Sequence, residues 1–83
     1  MKHSKLLLRI LSGKSDANID FDELRGFLAR LGFDERIRGS HHVFAKSGIE
    51  DLINLQREDR LAKPYQVRQV RRVIATHGLG EQE

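Results

Sequence analysis

The sequence contains no cysteine, and this absence excludes both a disulfide framework and a metal site built from thiolates. A chain of this kind suits a reducing compartment, so we expect a cytoplasmic protein. Long apolar runs are absent as well, and Leu6-Leu7-Leu8 is as long as any. A membrane-spanning helix needs roughly 20 apolar residues, and a signal peptide needs a longer apolar core. We therefore expect neither membrane insertion nor export.

The chain is short, with 83 residues. A chain of this size buries only about 60% of its unfolded surface and forms one core. We therefore predict a single domain over residues 1–83. Its core is expected at residues 20–79, with an additional helix at residues 3–12 and a tail at residues 80–83. Any functional site must then lie on the outside of that one core.

Basic residues outnumber acidic residues, 15 against 12, and the formal net charge is +3. This balance favours an anionic partner such as a nucleic acid. It is equally typical of an ordinary solvated surface, so the charge alone does not choose between the two interpretations. The position of the basic residues along the chain carries more information.

Apolar residues at helical spacing predict the additional helix at residues 3–12. Its apolar stripe consists of Leu7, Ile10 and Leu11. Such a stripe either packs against the rest of the molecule or binds a partner. We favour packing within the molecule, because a domain this small needs every apolar side chain that can reach its core.

A second helix is predicted between Asp20 and Gly32. Asp20 is a good N-cap residue, and Glu23 three positions later completes a capping box. Gly32 provides the stop signal. The side chains that line its apolar face are Phe21, Leu24, Leu28 and Leu31.

The last predicted helix begins near Pro64, because proline suits the first helical position. Gly78-Leu79 resembles a Schellman ending. The inner stripe is Val67, Val70, Ile74 and His77. The cationic side chains away from that stripe are Arg68, Arg71 and Arg72, with Lys63 just before the helix. This surface either follows a phosphate backbone or simply keeps the protein in solution, and the sequence leaves both interpretations open.

Between the second and the last helix the pattern predicts strands. Residues 33–38 and 41–46 are expected to form a hairpin, because Gly39-Ser40 fits a two-residue turn that begins with glycine. A third strand is predicted at residues 52–56. The fold class is therefore α+β, a three-stranded antiparallel sheet with helices over one face. The other face is left open to solvent or ligand.

The two-residue turn also fixes which residues of the hairpin face each other. The predicted pairs are Arg38 with His41, Ile37 with His42, Arg36 with Val43 and Glu35 with Phe44. Side chains alternate between the faces of a strand. The side chains expected on the face that the helices cover are Phe33, Ile37, His42 and Phe44. Arg36, Arg38 and His41 come together on the open face.

One imidazole beside two guanidinium groups is suited to RNA chemistry. A neutral histidine can take the proton of a 2′-hydroxyl while fixed cations hold the phosphate. The ordinary histidine pKa of about 6.5 allows proton transfer near neutral pH. The competing interpretation is an inert surface histidine on a solvated strand. A zinc site is not expected at His41 and His42, because neighbouring strand residues point to opposite faces.

Three segments of the chain resemble a known family. The runs Leu31-Gly32-Phe33 and Arg38-Gly39-Ser40-His41-His42-Val43-Phe44 are similar to the signature of HicA toxins. Lys63-Pro64-Tyr65-Gln66-Val67 before an arginine-rich helix resembles one branch of that family. The resemblance covers about residues 20–79. The helix at residues 3–12 and a third strand without proline, Leu52 to Gln56, differ from the usual pattern.

The resemblance implies a fold like that of double-stranded-RNA-binding domains and an mRNA interferase of a type II toxin-antitoxin system. Cleavage of mRNA would need no metal or cofactor, and a HicB-type antitoxin would be the protein partner. His41 corresponds to the catalytic histidine. The expected RNA-binding residues are Arg36, Arg38, Gly39, Ser40, Lys63, Arg68 and Arg72.

The sequence leaves two points open. His42, Ser40, Tyr65 or a water molecule could transfer the second proton, although His42 shares a face with Phe44 and is expected at the edge of the core. The alternative function is a non-catalytic RNA-binding module of the same fold, in which His41 is merely one contact. A protein-interaction domain without activity is a further possibility.

Overall fold

The computed structural model describes residues 2–57 and 59–80, with side chains from residue 5 onward. The elements in chain order are α1 (Lys2–Ser12), a 3-10 turn (Asp16–Asn18), α2 (Phe21–Arg30), β1 (Asp34–Arg38), β2 (His41–Lys46), β3 (Ile49–Gln56) and α3 (Pro64–His77). The predicted order of helices and strands is confirmed. The 3-10 turn was not predicted, and β3 begins earlier than expected. Apart from Gly80, the predicted tail lies outside the described residues.

The helix ends follow the signals in the sequence. The Asp20 side chain caps α2 by accepting a hydrogen bond from the backbone N–H of Glu23 at 3.0 Å. At the end of α3, Gly78 adopts a left-handed conformation with φ 63°. The N–H of Leu79 then donates to the carbonyl of Ile74 at 3.0 Å, which is the Schellman pattern. These local rules therefore set where the two helices stop and start.

The sheet is antiparallel with strand order β1-β2-β3. All four predicted hairpin pairs are present, from Arg38 opposite His41 to Glu35 opposite Phe44. Gly39 has φ +60° while Ser40 does not have a positive φ, as a glycine-first turn requires. On its other side β2 pairs with β3, and His41 lies opposite Gln56. His41 thus sits in the middle strand, at the end of the sheet where the hairpin turns.

One face of the sheet is packed against the helices. Phe44, Ile53 and Leu55 are fully buried there, together with the apolar side chains of α2 and α3. The opposite face carries exposed residues such as Asn54 and Ala45. The arrangement predicted for the sheet, with helices over one face, is confirmed. None of the helices in the described ranges has the length and apolar composition that a membrane crossing requires.

Helix α1 packs within the molecule, as expected. Ile10 is fully buried, and Leu6 and Leu7 pack against the core from the same side of the helix. Leu11 was predicted in this stripe but is 44% exposed, because the docked side is centred on the other three residues. Residues three and four positions apart lie on the same side of a helix, so Leu6, Leu7 and Ile10 contact the core together. Leu11 lies at the edge of that side.

Two other burial predictions are wrong. Ile37 lies on the side of the sheet that faces the helices, yet it is 52% exposed. It belongs to the outer strand β1, and the helices cover the middle and opposite strands instead. His77 was expected on the inner stripe of α3 but is exposed. It lies in the last turn, where Nε2 is 2.8 Å from Oδ2 of Asp51.

Candidate functional site

His41 is presented at the end of the hairpin. It is the first residue of β2 and follows directly on the Gly39-Ser40 turn. Its side chain is exposed, and it forms no hydrogen bond or ion pair with any described residue. An exposed imidazole without a partner among the described residues is accessible to a bound molecule, which its ring nitrogens can contact.

The open face of the sheet forms a shallow depression beside His41. Its volume is about 370 Å³, and it is lined by Arg36, Arg38, His41, Val43 and Asn54. The predicted grouping of the imidazole with two guanidinium groups is therefore confirmed. Within the described part of the chain, neither arginine has a carboxylate partner. Both positive charges remain available to a phosphate.

A second groove lies on the other side of His41, between β3 and the first turns of α3. Its volume is about 480 Å³. The residues that line it are His41, Asn54, Leu55, Gln56, Tyr65, Gln66, Arg68, Gln69 and Arg72. Arg68 and Arg72 are exposed on successive turns of the helix. His41 and Asn54 are shared by the two depressions, so cations flank the imidazole on both sides.

The chemistry of this surface is cationic and amide-rich. No Asp or Glu lines either depression among the residues that the structure describes. Uncompensated guanidinium groups near an exposed imidazole attract anions and can stabilise negative charge that develops on a phosphate. The described residues also contain no group of three or more His, Asp or Glu side chains that could hold a metal ion.

The turn residues support the position of His41. A Cβ atom added to Gly39 would meet nothing within 4 Å, so the glycine is required by its positive φ and not by crowding. Ser40 connects the turn to the end of β3, because its carbonyl accepts a hydrogen bond from the N–H of Arg57 at 2.9 Å. Its Oγ lies 3.5 Å from Nε2 of Gln56.

The basic residues of α3 divide into two groups. Arg68 and Arg72 line the groove, whereas Arg71 does not. Arg71 was predicted on the exposed cationic side, and this is wrong: it is half-buried and bonds both oxygens of Asp16 at 2.9 and 3.1 Å. Those hydrogen bonds raise the pKa of Arg71, although partial burial opposes the shift. Arg71 therefore holds the fold together.

Lys63 lies at the margin of the site. It precedes α3 as the N-cap residue and lines neither depression. Its Nζ is 5.9 Å from the centre of the Tyr65 ring, a distance at which a cation and an aromatic face attract each other. The structure therefore connects Lys63 to the groove through Tyr65.

His42 faces away from this surface, as its position in the strand predicts. It is only 3% exposed, and its ring packs edge-on against Phe21 with 5.0 Å between ring centres. Its Nδ1 lies 2.6 Å from Oε2 of Glu35. Arg25 donates to the same carboxylate at 2.7 and 3.2 Å. Burial raises the pKa of Glu35, but these hydrogen bonds from Arg25 and His42 lower it by more.

Sequence reasoning missed most of the groove between β3 and α3. Gln56 could have been placed beside His41 only with the register of β2 against β3, and an irregularity between Phe44 and Lys46 interrupts that register. Gln69 and Tyr65 reach the groove because α3 packs against β3. That contact joins segments that are distant in the chain, and helical periodicity does not predict it.

Comparisons with other proteins do not extend this description. The chain matches no family model, and searches of characterised proteins and of solved structures find no significant relative. What the site does must therefore be argued from its own residues: an exposed imidazole, four unpaired arginines within the described residues, and amide groups between them.

Proposed function

We propose that this protein is a metal-independent endoribonuclease, an mRNA interferase of the HicA toxin type with a fold like that of double-stranded-RNA-binding domains. One observation carries the proposal: His41 stands exposed between the Arg36 and Arg38 depression and the Arg68 and Arg72 groove. The resemblance of residues 38–44 to the family signature supports the same assignment. The α+β order and the open sheet face are compatible with it.

In the proposed reaction His41 takes the proton of a ribose 2′-hydroxyl. The 2′-oxygen attacks the adjacent phosphorus, and the bond from phosphorus to the 5′-oxygen breaks. The products are a 2′,3′-cyclic phosphate and a 5′-hydroxyl end. Arg36 and Arg38 hold the non-bridging oxygens and stabilise the charge that builds on them.

The leaving 5′-oxygen needs a proton. His42 is buried on the opposite face of the sheet, so the proposal gives it no part in this step. Three proton donors remain. They are Tyr65, which lines the groove beside His41; the hydroxyl of Ser40 in the turn; and a water molecule. The protonated His41 can also return its proton after the first step, as a general acid does.

The proposal includes a protein partner and a location. A HicB-type antitoxin would neutralise the toxin by covering the cationic surface around His41 and so excluding mRNA. Both proteins would act in the cytoplasm. An inhibitor of this kind is expected to present carboxylates to Arg36, Arg38, Arg68 and Arg72, because like charges would oppose its binding.

The experiment that tests the proposal is RNA cleavage by purified wild-type protein and His41→Ala in excess chelator. We expect cleavage by wild type, cyclic phosphate ends, and a loss of roughly 100- to 10,000-fold in rate on removal of the imidazole. His77→Ala is the matched control, because His77 lines neither depression. Cleavage by His41→Ala at the wild-type rate would contradict the catalytic assignment.

The second candidate is a non-catalytic RNA-binding module. It is favoured by the fact that His41 is the one imidazole or carboxyl side chain among the described residues that line the two depressions. This candidate predicts RNA binding that weakens with salt and no product from the wild-type protein. The same cleavage assay, run beside a binding titration, separates the two.

A further inference from the structure

Tyr65 is an exposed aromatic side chain beside the proposed reaction centre. It is 54% exposed, whereas all four phenylalanines, Phe21, Phe27, Phe33 and Phe44, are buried. The next residue, Gln66, is almost completely buried and accepts a hydrogen bond from the N–H of Lys63 at 3.3 Å. The start of α3 is thus fixed by Gln66 and leaves the Tyr65 ring in the groove, where it is not needed by the core.

The groove next to Tyr65 offers both kinds of hydrogen-bonding group. Oε1 of Gln69 accepts from the N–H of Asn54 at 3.4 Å, which leaves its amide nitrogen as a donor. Nε2 of Gln56 is directed to Ser40 at 3.5 Å, which leaves its amide oxygen as an acceptor. Among the described residues, neither of these remaining amide atoms has a partner. A donor and an acceptor beside an aromatic ring complement the edge and the face of a nucleobase.

The charges define how a strand would lie across the site. Arg68 and Arg72 stand on successive turns along the groove, and Arg36 and Arg38 lie beyond His41 on the open sheet face. A sugar-phosphate backbone that crosses His41 can contact cations before and after it. The base of the nucleotide beside His41 then reaches the groove. In a duplex that base is stacked and its edge is paired, so only an unpaired base can enter.

We propose that the groove between β3 and α3 is a subsite for one unstacked nucleobase of single-stranded RNA. Tyr65 is its stacking surface, and the free amide groups of Gln56 and Gln69 bind the edge of the base. This inference rests on the proposed function for the identity of the ligand, but it does not require cleavage. A volume of about 480 Å³ is within the roughly 300–1,000 Å³ typical of small-molecule sites, so there is room for one base.

The composition of the chain provides a direct readout. Tyr65 is its one tyrosine and there is no tryptophan, so emission excited at a wavelength that phenylalanine does not absorb, corrected for the light that the bases absorb, reports on this ring alone. Stacking of a base on the ring quenches that emission. The probe is a short single-stranded 2′-O-methyl oligoribonucleotide of mixed sequence, which lacks the attacking hydroxyl and cannot be cleaved. The matched probe is an abasic sugar-phosphate strand of equal length and charge.

We expect the oligoribonucleotide to quench Tyr65 and the abasic strand to bind without quenching. Tyr65→Leu is expected to weaken oligoribonucleotide binding, measured by fluorescence anisotropy of a labelled strand, by about fivefold or more, as loss of one stacked base predicts. Tyr65→Phe keeps the ring and retains the affinity to within about twofold. Leu8→Ala, an exposed apolar residue on α1, is the control variant and binds as wild type.

Three results would overturn the inference. The first is equal quenching by the abasic strand or by an acidic polypeptide, and the second is wild-type affinity of Tyr65→Leu for the oligoribonucleotide. The third is that Tyr65→Leu weakens binding of a blunt RNA duplex as much as binding of the single strand. The outcome is separate from that of the cleavage assay. Quenching without cleavage would retain the subsite and contradict the nuclease. Cleavage that depends on His41 without quenching would retain the nuclease and contradict the subsite.

Discussion

Nδ1 of His42 lies 2.6 Å from Oε2 of Glu35, on the face of the sheet opposite to the exposed side chain of His41. The two histidines are neighbours in β2 and have different surroundings because strand side chains alternate. His42 is enclosed by Phe21 and held by a carboxylate that Arg25 also binds. His41 has no such contacts within the described residues. The buried histidine therefore stabilises the strand that presents the exposed one.

Replacement of Glu35 by glutamine is predicted to change how stability depends on pH. Burial raises the pKa of Glu35, but the hydrogen bonds from Arg25 and His42 lower it by more. Its carboxylate therefore stabilises the fold above the unfolded-state pKa of about 4.5, and this contribution is lost as the pH falls through the lower folded-state pKa. Glu35→Gln should lower the free energy of unfolding by roughly 1–3 kcal/mol at neutral pH.

Urea unfolding at neutral pH and at about pH 3.5 measures both parts of this prediction. The wild-type protein should lose stability between these conditions more steeply than Glu35→Gln. If the free energy of unfolding fell equally in the two proteins, Glu35 would not be the source of the acid sensitivity. Glu23→Gln on the exposed side of α2 is the control for a change of net charge.

The two histidines of β2 are predicted to have opposite mutational phenotypes. His42→Ala removes a buried ring and leaves Glu35 without one of its partners, so the free energy of unfolding should fall by roughly 2–4 kcal/mol. His41→Ala removes an exposed side chain and should change it by less than about 0.5 kcal/mol. Thermal or urea unfolding of both variants is the measurement. Equal destabilisation would refute the assignment of separate roles.

The cationic open face was predictable from the sequence because its geometry is local. A two-residue turn at Gly39-Ser40 sets the hairpin register, and alternation then places Arg36, Arg38 and His41 together. No information from the rest of the chain is required. Helix boundaries were predictable for the same reason, since the N-cap and the Schellman turn depend on a few neighbouring residues.

Properties that depend on distant segments were not predictable. Alternation gave the side of the sheet on which Ile37 lies but not whether a helix covers it. The helical wheel placed Arg71 with Arg68 and Arg72, yet Arg71 meets Asp16, 55 positions away in the chain. The groove at Tyr65 arises from the packing of α3 against β3. Each case requires tertiary contacts that no periodicity in one segment contains.

Arg71 and Arg68 provide a matched pair for stability. Arg71 Nη1 donates to the carbonyl of Ile10 at 2.9 Å and to Asp16 at the same distance. Arg71→Gln should therefore lower the free energy of unfolding by roughly 1–3 kcal/mol, because two partly buried acceptors lose a charged donor. Arg68→Gln should change it by less than about 0.5 kcal/mol. Chemical unfolding that gives the two variants equal stability would contradict the contacts of Arg71.

RNA binding should depend on Arg68 and not on Arg71, the reverse of their effects on stability. If Arg68 contacts one phosphate of a single strand, Arg68→Gln should reduce the slope of log affinity against log salt by about 0.7. Arg71→Gln, studied where it is fully folded, should retain the wild-type slope because its guanidinium is engaged by Asp16. Titrations of a labelled single-stranded RNA at several salt concentrations test this. A lower slope for Arg71→Gln alone would contradict the assignment.

Two glycines have open space around them, and replacing each by alanine is predicted to change the free energy of unfolding in opposite directions. An added Cβ meets nothing within 4 Å at Gly26 or at Gly39. Gly26 lies inside α2, so Gly26→Ala should stabilise the protein by about 0.5–1 kcal/mol. Gly39 has φ +60°, and Gly39→Ala should cost about 1–2 kcal/mol from the backbone alone. Urea unfolding of the single variants checks both signs.

The double variant Gly26→Ala/Gly39→Ala then separates stability from the geometry of the turn. The gain at Gly26 should offset part of the loss at Gly39, leaving a folded protein that is less stable than wild type by at most about 1.5 kcal/mol. Gly39 and Ser40 form the turn that leads into His41. If this folded double variant no longer cleaves RNA, the cause is therefore a displaced imidazole and not unfolding. Retained cleavage at the wild-type rate would mean that the turn tolerates alanine without moving His41, and that the glycine serves stability alone.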